Sequence, residues 1–180
     1  MTIITEQYIQ EQFIIIREAC LKLVNEKHWK VIPESVGLNY TRLSEFGKAF
    51  PLEKRIELNG RFVGSSAFEK LKDVIAHELA HLCIGCDQHH NAKFKRYYGA
   101  FIYNINVDTK KAEIDGEKIV ELTPYKWTVI AHLVNGETHN IGGVHRKTKV
   151  YSDYHNSDST HKIKETGIKI ARYEFIENKR

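Results

Sequence analysis

Apolar positions recur along this chain with two periods, and the switches between them mark out its elements. Ile9, Phe13, Ile16, Cys20 and Leu23 repeat at helical spacing behind a capping Thr5 and an acidic Glu6, which predicts a first helix running to about Asn25. From Trp29 to Val63 the pattern becomes strand-like, interrupted by Pro33, Gly47, Pro51 and Gly60, and predicts two or three strands. The helical period then returns at Phe68, Leu71, Val74, Ile75, Leu79 and Leu82. Ser66-Ala67-Phe68-Glu69 reads as the capping box of that second helix, and Gly85 as its stop. A third helix is expected from about Asn91, with Phe94, Tyr97 or Tyr98, Phe101, Ile102 and Ile105 facing inward.

The stretch from Val107 to Glu121 is polar, rich in lysine and acid, and contains Asp115-Gly116, so it reads as a connector. A domain boundary is accordingly expected between residues 110 and 111. Beyond it, strands are expected at Trp127 to Val134, Lys147 to Tyr154 and Ile168 to Ile176. Turns are expected at Asn135-Gly136, Gly142-Gly143 and Asn156-Ser157-Asp158-Ser159. The whole predicts an α+β fold: a first helix, a small sheet, two further helices, and a β-rich C-terminal subdomain over 111–180.

Composition narrows the class. The chain has 180 residues, 42% hydrophobic and 28% charged, enough for one sizeable core with a small appendage. No apolar run approaches a membrane span, and Met1-Thr2-Ile3-Ile4-Thr5-Glu6 lacks the basic start of a secretory signal. Three cysteines form no disulfide framework and suit a reducing cytoplasm, which is the expected location.

Inside the second helix stands His77-Glu78-Leu79-Ala80-His81, an HExxH motif. Residues four apart share a helix face, so the imidazoles of His77 and His81 can meet on one cation, with Glu78 about 100° around the axis. Zinc suits neutral imidazoles and, in hydrolytic sites, keeps a coordination position open for water. Glu78 is then placed as general base in attack on an amide carbonyl, and as the acid that returns the proton to the leaving amine.

The third ligand is less constrained. An elongated metzincin pattern would need glycine at 84 and histidine at 87, where the chain has Ile84 and Asp87, and with Met1 as its only methionine it has no Met-turn. The next glutamate after Glu78 is Glu113, too far for a thermolysin-like set. In Asp87-Gln88-His89-His90-Asn91-Ala92-Lys93-Phe94, either His89 or His90 can complete a three-histidine site. Cys83 and Cys86 form a lone CxxC, read as an end-of-helix feature rather than a redox pair; a Cys83, Cys86 and His89 site would leave HExxH unused.

These residues resemble the SprT-like family of zinc metalloproteases, which includes Spartan. His90-Asn91-Ala92-Lys93-Phe94 matches the family's H-G-x-x-F with Asn91 in place of glycine. Leu38 to Ala49 and Arg55-Ile56-Glu57-Leu58-Asn59 resemble its two strands before the active helix, and Phe68 to Ile75 its lead into HExxH. The resemblance covers about residues 8 to 105. It implies a zincin-like metalloprotease core over 1–110, His90 as third zinc ligand, and hydrolysis of peptide bonds in a protein or peptide substrate, including DNA-bound protein. It also likens the C-terminal subdomain to a zinc ribbon, although residues 125–176 contain no cysteine. His132, His139, His145, His155 and His161 lack knuckle spacing there, so a ribbon that has replaced its metal by packing is expected.

Charge leaves the partner open. A formal excess of +4 falls short of a dedicated nucleic-acid binder. Lys93, Lys95 and Arg96 precede paired tyrosines, however, and Arg146, Lys147 and Lys149 lie beside Tyr151 and Tyr154, joining phosphate-directed charge to stacking surfaces. The resemblance implies DNA as a partner, as single strands or distorted duplex. Two alternatives accompany the endopeptidase reading: a non-proteolytic nucleic-acid- or protein-binding module with a structural zinc, and a zinc hydrolase of small amides or short peptides.

Overall fold

The computed structural model describes residues 2–41, 44–122, 125–154 and 160–178. It is a mixed α+β structure in two compact units, Met1–Thr123 and Pro124–Arg180.

Helix α1 (Glu6–Leu23) starts where Thr5 Oγ1 accepts the Tyr8 N–H at 3.1 Å, and it buries Ile9, Phe13, Ile16 and Cys20. Leu23, expected on that face, is 46% exposed. The next inward position after Cys20 is four residues on, and Val24 takes it.

Strands β1 (Ser35–Asn39), β2 (Gly47–Phe50) and β3 (Arg55–Asn59) form one sheet in the order β1-β3-β2, with β3 parallel to β1 and antiparallel to β2. Ile56 and Leu58 of the central strand are fully buried, and β2 is an edge. Gly47 opens β2 instead of interrupting the region. A Cβ there would lie 2.6 Å from Val74 Cγ1 and 3.1 Å from Glu78 Oε1, so glycine is what lets this edge come up against the second helix.

That helix, α2 (Phe68–Ile84), packs against α1, against both following helices and against β2 and β3. Leu71, Ile75, Leu79 and Leu82 are buried as the periodicity predicts, while Phe68 is half-buried, edge-on to Tyr8. Gly85 ends it with a φ of 103°. The expected Ser66–Glu69 capping box does not form. The N-cap is Ala67, without a side-chain hydrogen bond. A tertiary neighbour takes over the role: Asp115 Oδ2 accepts the Glu69 N–H at 3.2 Å, and Glu69 Oε2 accepts the Asp108 N–H at 3.0 Å.

Asp108 and Asp115 belong to the segment expected to be a connector, which is helical instead. After α3 (Ala92–Asn104), residues Thr109–Glu121 form a 13-residue helix, α4, capped by Asp108 Oδ1 on the Lys111 N–H at 3.0 Å. Its inward face is Ala112, Asp115, Gly116 and Ile119, which carries too little apolar character to show in a hydropathy pattern. The division therefore falls after Thr123, and 111–121 belong with the first unit rather than the second.

The second unit is an antiparallel sheet of β4 (Trp127–Leu133), β5 (Thr138–Val144) and β6 (Ile170–Glu177), ordered β5-β4-β6. The hairpin turn at Asn135-Gly136 is where it was expected. Gly142-Gly143, expected as a turn, lies inside β5, which runs exposed beside β4 with a register shift at Val129/Ile130. The strand expected at Lys147 to Tyr154 is absent; Lys149–Ser152 form the single helical turn α5. Tyr151 and Tyr154 pack on Tyr173, with ring centroids at 4.7 and 5.3 Å. The turn expected at 156–159, and His155, lie outside the described residues. No helix among the described residues is long and apolar enough to cross a membrane.

Candidate metal centre

Three imidazoles converge at the junction of α2 and α3. His77 and His81, one turn apart on α2, and His90, from the loop before α3, each present a ring nitrogen, and the three atoms lie within 4.8 Å of one another. The His90 Nε2 is 3.1 Å from that of His77 and 3.2 Å from that of His81. No other group of three potential ligands converges among the described residues, so Cys83, Cys86 and His89 do not assemble as a set.

The loop geometry explains why His90, and not His89, arrives there. Asn91, at the position where the resemblance has glycine, is the N-cap of α3: its Oδ1 accepts the Phe94 N–H at 3.0 Å. His90 thus sits immediately before a fixed helix start. His89 is exposed, with φ 47° and ψ −147°, a combination that L-residues rarely adopt and glycine adopts readily.

Electrostatics keep two of these rings available as donors. Burial pushes the pKa of His77 down to about 4, and the neighbouring His81 and His90 push in the same direction. His81 is lowered as well, first by burial and then by His90 and His89. Both are neutral at pH 7, the form that binds a metal. Three imidazole nitrogens aimed at one point fit zinc, as a set that leaves a coordination position for water.

Glu78 is 6% exposed and lies against β2. Burial, with Glu45 adding to it, pushes its pKa up to about 7, against the opposing pull of the Ala49 backbone N–H and of Lys48. Its carboxylate and His77 face a cleft of about 190 Å³ lined also by Phe46, Gly47, Lys70, Asp73 and Val74.

Several participants are absent from the motif. Asp73, one turn before His77, pairs with Lys70 at 2.8 Å and accepts a hydrogen bond from the Tyr98 hydroxyl. Burial first, and that contact second, hold the Tyr98 pKa above its ordinary range. Tyr98 therefore has its hydroxyl committed to a carboxylate, and Tyr97 packs edge-on to Phe101. The four-residue spacing of Asp73 and His77 on one helix was readable; the Ala49 and Tyr98 contacts come from other elements and were not.

Cys83 is buried and its thiol is pushed up to about 11 by that burial, while Cys86 is half-buried and also raised, so neither thiol tends toward the thiolate. Lys93, Lys95 and Arg96 are exposed on α3. Tyr151 and Tyr154, by contrast, are half-buried and pack on Tyr173 within their own unit. Neither a protein-family model nor a curated protein matches the chain.

Proposed function

We propose that this protein is a zinc-dependent endopeptidase of the SprT-like type, with His77, His81 and His90 holding the metal and Glu78 acting as general base. The observation that carries this reading is the convergence of three imidazole nitrogens beside a buried glutamate on the same helix. A structural zinc is closed by four protein ligands. The described residues bring only three together, which favours catalysis over the binding-module alternative.

When bound, zinc supplies Lewis acidity to a water and to the substrate carbonyl. The remaining work falls to the chain itself. Glu78 accepts the proton of the attacking water and returns it to the leaving amine, and a pKa raised to about 7 suits both directions of transfer near neutral pH. The Ala49 N–H orients that carboxylate. Strand β2 is an edge running beside Glu78, so an extended peptide can add to it and lie across the site. That geometry favours an unfolded or extended protein segment over a small amide.

The helix α2 backed by a small sheet and followed by α3 supports a zincin-like core, and the cysteine-free sheet packed by tyrosines supports a ribbon without metal. DNA-bound protein is the substrate class implied by the resemblance. It is supported by charge: residues 124–180 carry ten Lys and Arg against six Asp and Glu, and residues 1–123 are balanced. The test is zinc content and cleavage of an unfolded protein substrate, with and without single-stranded DNA. Glu78→Gln should keep stoichiometric zinc and lose cleavage by about 10²- to 10⁴-fold. Full activity in that variant, or wild-type protein that holds no zinc, rejects the reading.

A further inference from the structure

We infer that Phe94 is a positioning residue for the three imidazoles, supplying through packing the orientation that His81 lacks a hydrogen bond to provide. A ligating histidine ordinarily donates its second ring N–H to a carboxylate, a carbonyl or water, which fixes both tautomer and ring rotation. The Nδ1 of His81 is buried and has no hydrogen-bond partner. Imidazole rotation about χ2 is soft, so something else must hold this ring.

Phe94 is the group in place to do so. Its ring centroid lies 4.4 Å from that of His81, the shortest separation among the four rings, and 4.9 and 4.8 Å from those of His77 and His90. The imidazoles are 4.9 to 5.1 Å from one another, so the phenyl ring touches all three members of the set. Phe94 is itself immobilised. It is 2% exposed, its N–H is the one capped by Asn91, and its ring stacks at 5.7 Å and 22° on Tyr98, whose hydroxyl is tied to Asp73 on α2. Helix α3 therefore delivers one ligand immediately before its cap and the support for all three from its first turn.

The inference rests on the proposed metal site for one arm of its test and is independent of it for the other. In the first arm, zinc affinity is measured by competition with a chromophoric chelator for wild type, Phe94→Leu, Phe94→Met and Phe101→Leu. Phe101 is an equally buried aromatic two turns further along α3, stacked on Trp29. Loss of support at Phe94 should weaken zinc binding at least tenfold, as expected when a group that orients a metal ligand is removed. Phe101→Leu should lower the melting temperature and leave the affinity unchanged. Wild-type affinity in the Phe94 variants, or equal weakening in Phe101→Leu, overturns the inference. In the second arm, on metal-free wild-type protein, nuclear Overhauser contacts should connect the Phe94 ring with the ring protons of His77, His81 and His90, and their absence also overturns it. A wild type that binds no zinc but shows these contacts removes the peptidase reading and leaves the positioning role standing. This arm needs no variant to fold.

Discussion

The two units of this chain solve the problem of burial differently. Among the described residues, the first buries 23, mostly aliphatic, in one continuous cluster around α2. In the second, the buried cluster has four members, Ala131, Leu133, Ile163 and Ile170, and the rest of that sheet face is covered by half-buried Tyr154, Tyr173 and Ile168. The tyrosines keep polar tips satisfied: the Tyr154 hydroxyl donates to the Ile170 carbonyl at 3.0 Å, and Tyr173 meets His161 Nδ1 at 2.9 Å. A small unit encloses only a small aliphatic interior, because too much of its surface stays in water. The larger one can, and that interior is what desolvates Glu78 and His77.

Four measurements test that contrast. Each unit contains one tryptophan, Trp29 in the first and Trp127 in the second, so single-tryptophan variants report the unfolding of each in urea. Leu71→Ala should cost the first unit about 4 kcal/mol, and Leu133→Ala should cost the second about 2 kcal/mol, since the few buried neighbours around Leu133 can collapse onto the deletion. Equal costs would mean the two interiors are equally well packed.

A smaller effect is expected at the cap shared between helices. Asp115→Ala removes the acceptor for the Glu69 N–H and should destabilise the first unit by about 1–3 kcal/mol, with the Trp127 transition unmoved. Next comes the ligand loop. His89→Gly relieves an unfavourable φ and ψ and should tighten zinc binding by roughly fivefold, or about 1 kcal/mol, while His89→Ala should not. Identical affinities for the glycine and alanine variants would show that the loop carries no strain.

The smallest effect concerns pH in chelator-treated protein. His77 has a folded pKa of about 4 against an ordinary 6.5, so its contribution is present above pH 6.5 and is lost as pH falls toward 4. Glu78, at about 7 against 4.5, works the other way: its contribution is fullest below pH 4.5 and is lost as pH rises toward 7. Between pH 4.5 and 6.5 the two slopes oppose each other. Glu78→Gln removes one of them, so that variant should lose more stability than wild type on acidification across this interval. Parallel curves would refute the assignment.

How much was legible from the residues follows local interaction. The α1 face from Ile9 to Cys20, the α2 stripe, the hairpin turn at Asn135-Gly136 and the pairing of His77 with His81 all depend on neighbours a few positions apart, and all were readable. Failures occur where a distant partner replaces a local one. Ser66 makes no cap because Asp115 already holds the amide it would serve. Residues 109–121 look like a connector because a helix laid against α2 over Ala112, Asp115 and Gly116 needs little apolar surface. Strand β5 was misread because Gly142-Gly143 resembles a turn, yet pairing with β4 carries it through.

The centre itself divides along the same line. The amino-acid sequence alone determined that two imidazoles and a carboxylate share one helix, because helical periodicity is a local property of the backbone. It left His89 and His90 as alternatives, and gave no sign that Ala49 would orient Glu78 or that Phe94 would stand against all three rings. Those choices were decided by the tertiary structure, since they depend on how α3 and the edge strand β2 pack against α2, and packing joins residues that no spacing along the chain relates.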